Sequence, residues 1–153
     1  MSSGAACRMT CPVAGSCGQV TSSGEESEAE AVVFDERFDA STLHVLRERV
    51  AACVSAAGMP EDRAMEVILA VHELAANAVC HGAGAGRLLM RVAVGALRCQ
   101  VSDAGPGEGP WPLRQGHGLW IVRAVADEVT ASSGPQGSQV TAMFGWSPLT
   151  SRD

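Results

Sequence analysis

Glu73, Asn77 and His81 fall four residues apart, so on a helix they stack along one face. A carboxylate one turn before a carboxamide is a useful chemical pair. The carboxylate can take up a proton, and the amide oxygen can ligate a hard cation such as Mg2+. Taken alone, the same spacing also describes a solvated polar stripe. Three further clusters lie downstream. Asp103-Ala104-Gly105-Pro106-Gly107 sets a carboxylate beside two residues without side chains, where a flat ligand can approach the backbone. Gly116-His117-Gly118-Leu119 opens a helical pattern, whose free amides and dipole attract phosphate. Gly137-Ser138 begins a strand and supplies a hydroxyl. Each cluster alone is ordinary turn chemistry; all four in this order make a joint signal.

The elements that must hold these residues follow from periodicity. Val67, Ile68, Val71, Leu74, Ala75 and Ala78 form the apolar face of the helix that carries Glu73, and that face must point into a core. Pro60 at the first helical position, followed by Glu61 and Asp62, marks its start, and Gly82 its end near His81. Ahead of it, Ala31 to Phe38 reads as an edge strand. A helix with the stripe Leu43, Leu46, Val50 and Val54 follows, with Asp39 or Ser41 as its N-cap and Gly58 as its left-handed C-terminal cap. Leu88 to Val94 and Arg98 to Ser102 read as a hairpin, residues 108–117 as a loop, and Gly118 to Asp127 as a helix. Glu128 to Ser132 and Val140 to Phe144 form a second hairpin around the turn Gly134 to Gly137. This order predicts a two-layer α/β sandwich with helices on one face of a mixed, mostly antiparallel sheet. Residues 1–30, rich in Ser, Gly and Glu and poor in large apolar groups, read as a disordered tail, residues 31–146 as one domain, and residues 147–153 as a C-terminal tail.

Composition narrows the function. The chain has 153 residues, 46% hydrophobic and 18% charged, which is a globular profile. All 11 basic residues are arginine and the net charge is −6, so neither a nucleic-acid-binding face nor a Walker-type lysine is expected. No apolar run approaches membrane-spanning length, and no export signal is visible, so the expected location is cytoplasmic. Cys53, Cys80 and Cys99 lie in apolar helix or strand patterns, while Cys7, Cys11 and Cys17 have no strong zinc spacing.

On the Glu73–Asn77–His81-Gly82 box, the Asp103-x-Gly105-x-Gly107 segment and Gly116-His117-Gly118-Leu119, with a weaker match at Gly137-Ser138, the chain resembles the GHKL (histidine-kinase-like, Bergerat-fold) ATPases. Within them it looks most like the small bacterial anti-sigma-factor serine kinases. The resemblance covers Val32 to Phe144. It implies that Asn77 ligates the Mg2+ bridging the triphosphate of ATP, and that Glu73 acts as general base or orients the attacking hydroxyl. It further implies that Asp103 accepts a hydrogen bond from the adenine amino group, and that Gly105 and Gly107 admit base and sugar. Gly116 and Gly118, flanking His117 and followed by Leu119, would bring amides to the phosphates, and residues 106–117 would be the ATP lid. Arg114 is the lid cation assigned to the γ-phosphate. Ser138 stands where the family usually has Thr, which keeps the hydroxyl and loses a methyl contact. His117 stands where the family often has Arg.

The activity implied is a serine/threonine protein kinase that phosphorylates an anti-sigma-factor antagonist and binds a sigma factor in its other state. Similar kinases form dimers, so a homodimer is among the expectations. Two other readings compete. One is an ATP-shaped binding module with little turnover; the other is a redox-sensing regulator using Cys7, Cys11 and Cys17. A two-component histidine kinase fits less well, because His44 and His72 sit in helices of the domain, where surface or structural roles suffice. Trp120 and Trp146 read as packing or interface residues.

Overall fold

The computed structural model describes residues 29–104 and 119–147. The expected tails, and the lid with Gly105, Gly107, Arg114, Gly116, His117 and Gly118, lie outside these residues, apart from Ala29, Glu30 and Ser147 at the tail boundaries and Ala104 before the lid. The elements run β1 (Ala31–Asp39), α1 (Leu43–Ala56), α2 (Glu61–His81), β2 (Ala85–Ala93), β3 (Ala96–Asp103), α3 (Leu119–Val125), β4 (Glu128–Gly134) and β5 (Gly137–Gly145). The strands form one sheet in the order β1-β2-β3-β5-β4, antiparallel at every pairing, with the helices on one face. The two-layer α/β architecture, its edge strand β1 and both hairpins are as the periodicity predicts.

Alternation builds the core. Along β3, Leu97, Cys99, Val101 and Asp103 are buried while the residues between them are partly exposed. Their helix-facing side chains join Leu88, Met90, Val140, Ala142 and Phe144 against Val50, Val54, Val67, Val71 and Leu74. Fully burying such a side chain contributes roughly 1.5–3 kcal/mol. A bulge between Val32 and Phe34 shifts the register of β1 on β2 and turns Val33 toward the core as well.

Several boundaries differ from expectation. Helix α1 is N-capped by Thr42, whose side chain makes no cap bond to the helix; Asp39 instead holds the preceding turn by accepting from the Ser41 amide at 2.9 Å. Gly58 does adopt φ +74 just past the α1 C-cap, as expected of a left-handed cap. Pro60 sits one place earlier than predicted, as the N-cap of α2, because its extended ψ of 146° keeps it outside the helix. Strand β2 begins at Ala85, three residues ahead of the expected start at Leu88. There Gly86 lies so close to Phe38 and the Ser102 carbonyl that a Cβ would fall 2.6 and 2.8 Å from them. A small residue here serves close strand packing.

One charged residue ties the far end of α2 to the sheet. Arg63 donates from Nε to the Gly145 carbonyl at 3.0 Å, from Nη1 to the Val125 carbonyl at 2.7 Å and from Nη2 to Asp127 Oδ2 at 2.7 Å. It also pairs with Glu66, and its guanidinium lies 5.3 Å from the Phe144 ring centroid. Burial opposes the charge on Arg63, but the bonds to Glu66 and Asp127 outweigh it and raise the pKa. Arg49 of α1 pairs with Glu36 of β1 in the same way, joining helix to sheet.

Candidate functional site

The C-terminal half of α2 carries the predicted polar stripe, yet the stripe is not uniformly solvated. Asn77 is 6% exposed, Glu73 is half-buried and His81 is exposed. Burying a carboxamide costs free energy unless it is bonded, and Asn77 has interaction partners. The opposite face, from Val67 to Ala78, is buried as the apolar period requires.

Asp103 ends β3 and is buried at 7% exposure beside the end of α2. Its Oδ1 accepts a hydrogen bond from the Ala83 amide at 2.9 Å, one residue past the helix C-cap Gly82. Gly82 has an ordinary negative φ of −101°, so its glycine identity is not a matter of backbone freedom. A Cβ there would land on the Asp103 carboxylate, on Oδ2. Glycine is what lets the carboxylate lie against the helix terminus. Gly137 guards the other side. Its φ of +126° is a glycine conformation, and a Cβ there would fall on the Asp103 carbonyl oxygen.

Strand pairing brings in Ser138, which lies opposite Asp103 in the β3–β5 ladder and is 5% exposed. Leu119, the first residue of α3, is buried in the core. The described residues therefore place Asn77, Asp103 and Ser138 as buried polar groups at the meeting of α2, β3 and β5, with Glu73 one helical turn before Asn77. The remaining predicted residues, Gly105, Gly107, Arg114, Gly116, His117 and Gly118, lie outside the described residues.

Sequence reasoning missed the supports. The Ala83 amide, the steric role of Gly82 and the cover of Gly137 over Asp103 were not singled out, although His81-Gly82 and Gly137-Ser138 were noted as motifs. Reading each glycine for what a side chain would strike, rather than for turn chemistry, is the signal that would have found them. Trp146 packs on the core as expected, whereas Trp120 is 70% exposed and packs little. His44 is exposed on α1, in keeping with a surface role. Burial pushes the Cys99 thiol up, with Cys53 nearby adding to the effect, so the Cys99 thiol is chemically quiet.

Among the described residues no group of three or more His, Cys, Asp or Glu forms a metal cage. Mg2+ is held by one or two protein oxygens together with phosphates and water, so a site for it needs no such cage. None of the described helices is long and apolar enough to cross a membrane. The sequence model of the family described as Histidine kinase-like ATPase domain matches residues 37–144, a span that holds every residue of the site. No match to the chain was found among curated proteins.

Proposed function

The chain belongs to the histidine kinase-like ATPase domain family, and on that premise we propose that it is a cytoplasmic serine/threonine protein kinase. It uses ATP with Mg2+ to phosphorylate an anti-sigma-factor antagonist, and it holds a sigma factor in its other state. The observation that carries the nucleotide part is the Asp103 carboxylate, buried against Gly82 and oriented by the Ala83 amide, with Gly137 close over the residue's backbone carbonyl. A buried carboxylate oriented by the Ala83 amide is suited to accept from an exocyclic amine, which favours adenine over guanine.

Asn77 would hold the Mg2+, which neutralises the triphosphate. Glu73 lies one turn away on the same face, so it serves the same phosphate region. The partner's hydroxyl oxygen bonds to the γ-phosphorus, the bond to the β-phosphate oxygen breaks, ADP leaves, and Glu73 takes the hydroxyl proton. Such transfers depend mainly on positioning and charge neutralisation. Gly116 and Gly118 with His117, Arg114 and the Ser138 hydroxyl complete the phosphate and base contacts in this reading, and Gly105 and Gly107 admit the nucleoside.

The test mixes the protein with γ-labelled ATP, Mg2+ and candidate antagonist proteins. Label on a serine or threonine of one antagonist is the expected result. ATP binding without transfer to any partner would favour a nucleotide-shaped binding module instead. Equal calorimetric affinity for ATP and GTP, or no effect of Asp103→Asn, would overturn the adenine assignment.

A further inference from the structure

Helix α2 carries a row of side chains that runs from open surface into the site. Met65, Leu69, Glu73 and Asn77 recur every four residues, so they follow one another on successive turns. Exposure falls steadily along the row: Met65 is 54% exposed, Leu69 is 43% exposed, Glu73 is half-buried and Asn77 is 6% exposed. The first two members are large and apolar, yet they face solvent. Val32, Val45, Val94 and Trp120 are the other large apolar side chains exposed among the described residues, and each stands alone on its own element or turn. Single exposed apolar residues are ordinary, whereas two on adjacent turns of one helix begin a patch.

The direction of the row says what covers that patch, on the premise of the kinase function proposed above. Asp103, the adenine contact in that reading, lies against Gly82 and Ala83 at the C-terminal end of α2. Asn77 and then Glu73 come progressively earlier in the helix. ATP therefore lies along α2 with its base at the helix end and its γ-phosphate toward Glu73. The attacking and leaving oxygens are in line at phosphorus, so the acceptor hydroxyl enters from the side opposite ADP. On that side stand Leu69 and Met65, about 6 and 12 Å from Glu73 along the helix axis. A folded protein that brings a hydroxyl to Glu73 along this line covers those two turns. Charge sets the rim of the patch. Glu61 and Asp62 are exposed in the first turn of α2 and Glu66 is partly exposed. The only arginine of the helix, Arg63, is held by Gly145, Val125 and Asp127.

We propose that Met65 and Leu69 anchor the protein that receives the phosphate, and that the segment they hold presents apolar side chains flanked by arginine or lysine. The apolar contacts supply the affinity, and the acidic rim of Glu61 and Asp62 selects a basic flank. The row then has two halves with distinct tasks. Met65 and Leu69 hold the acceptor protein, while Glu73 and Asn77 act on its hydroxyl and on the metal-bound triphosphate.

The test uses the full chain, a Met65→Gln/Leu69→Gln variant of it, and as probe the antagonist protein that takes label from the unaltered chain. The variant is expected to show a KM for that protein raised about 10-fold, with kcat and calorimetric ATP affinity unchanged. With ADP present and no transfer possible, the variant should also bind the antagonist about 10-fold more weakly by calorimetry. Val45→Gln/Val94→Gln, which alters exposed apolar residues elsewhere, should change neither quantity. Unchanged KM and unchanged antagonist affinity in the Met65→Gln/Leu69→Gln variant overturn the proposal and leave the kinase reading standing. A fall in kcat or in ATP affinity without a rise in KM also overturns it, as does an equal effect of Val45→Gln/Val94→Gln. So does a sedimentation experiment in which the unaltered chain is a dimer and the Met65→Gln/Leu69→Gln variant a monomer, since the patch would then meet a second copy. Absence of transfer from the unaltered chain to any protein overturns the kinase reading, and this inference with it.

Discussion

The two ends of helix α2 hold polar groups in opposite ways. Near its start, Arg63 spends its donors on Val125, Gly145, Asp127 and Glu66, joining helix, sheet and the turn before β4. The fold itself consumes that chemistry. Near its end, side chains are left out instead: Gly82 lets the Asp103 carboxylate lie against the helix terminus, Gly137 lies close over the Asp103 backbone, and the Ala83 amide donates to Oδ1. A charged residue enclosed by several fixed partners is a brace. A buried carboxylate packed against a glycine at a helix end is, in the proposed function, the group that meets the nucleotide base. The difference lies in what surrounds the charge, since both groups are ionisable and both are largely enclosed.

The sharpest way to test this contrast is at Glu73. As a general base it should matter to turnover and not to folding. Glu73→Ala is expected to slow phosphoryl transfer by about 10²–10⁴-fold, toward the low end for a loose transition state, while ATP affinity measured by calorimetry changes little. Transfer at the normal rate would remove Glu73 from that role.

Gly82→Ala comes next. The new methyl must displace the Asp103 carboxylate, and a misplaced charged hydrogen bond is worth roughly 1.5–3 kcal/mol, or about 10–100-fold in ATP affinity. The preference for ATP over GTP should fall with it. A variant that melts as before but binds ATP more weakly separates the role of Asp103 from that of the fold. Unchanged affinity and preference would show that the close approach of Gly82 has no bearing on the nucleotide.

At the other end, Arg63→Ala should reverse the pattern. It leaves two carbonyls and two carboxylates without their donor, and a loss of about 2–3 kcal/mol in unfolding free energy by denaturant titration is expected. ATP affinity of the folded protein should stay within about twofold, because Arg63 and Asn77 are separated by most of the helix. A fall in affinity with no loss of stability would mean that the two ends are not independent.

How much of this contrast was legible in the sequence depends on the range of the interaction. The apolar period of α2, the stripe of α1 and the two hairpins are local patterns, and the sheet formed as they require. The spacing of Glu73 and Asn77 and the carboxylate at Asp103 were visible as well, because helical repeats and short glycine-flanked motifs are local too. The Arg63 brace was not visible, since its partners other than Glu66 lie more than 60 residues away and meet it only when α2 crosses β5 and the end of α3. The role of Gly82 was hidden for the same reason: its identity answers to Asp103, which another strand delivers. Pro60 and Ala85 were displaced from their expected roles by one element boundary each, where helix caps and strand ends trade against packing.

The smallest effect concerns pH at the braced end. Asp127 accepts from the Gly145 amide at 2.6 Å and from Arg63, and these bonds, the backbone one first, hold its carboxyl below the usual range despite some opposing desolvation. A carboxyl whose folded pKa lies below its unfolded value of about 3.9 adds stability that is fully present above that value. The contribution is lost as pH falls through the folded pKa. Because the Asp127 side chain is 60% exposed, solvent screening limits the contribution to below about 1 kcal/mol. Asp127→Asn should therefore be slightly less stable than the unaltered chain at neutral pH, with the difference closing in acid below about pH 4. Asp103→Asn provides the contrast at the other end, where the expected loss is in ATP affinity at neutral pH. Denaturation curves for both variants from pH 7 to pH 3 decide the matter. A stability difference for Asp127→Asn that persists unchanged into acid would mean that the side chain supports the Gly145 turn by shape and neutral hydrogen bonding, and not by its charge.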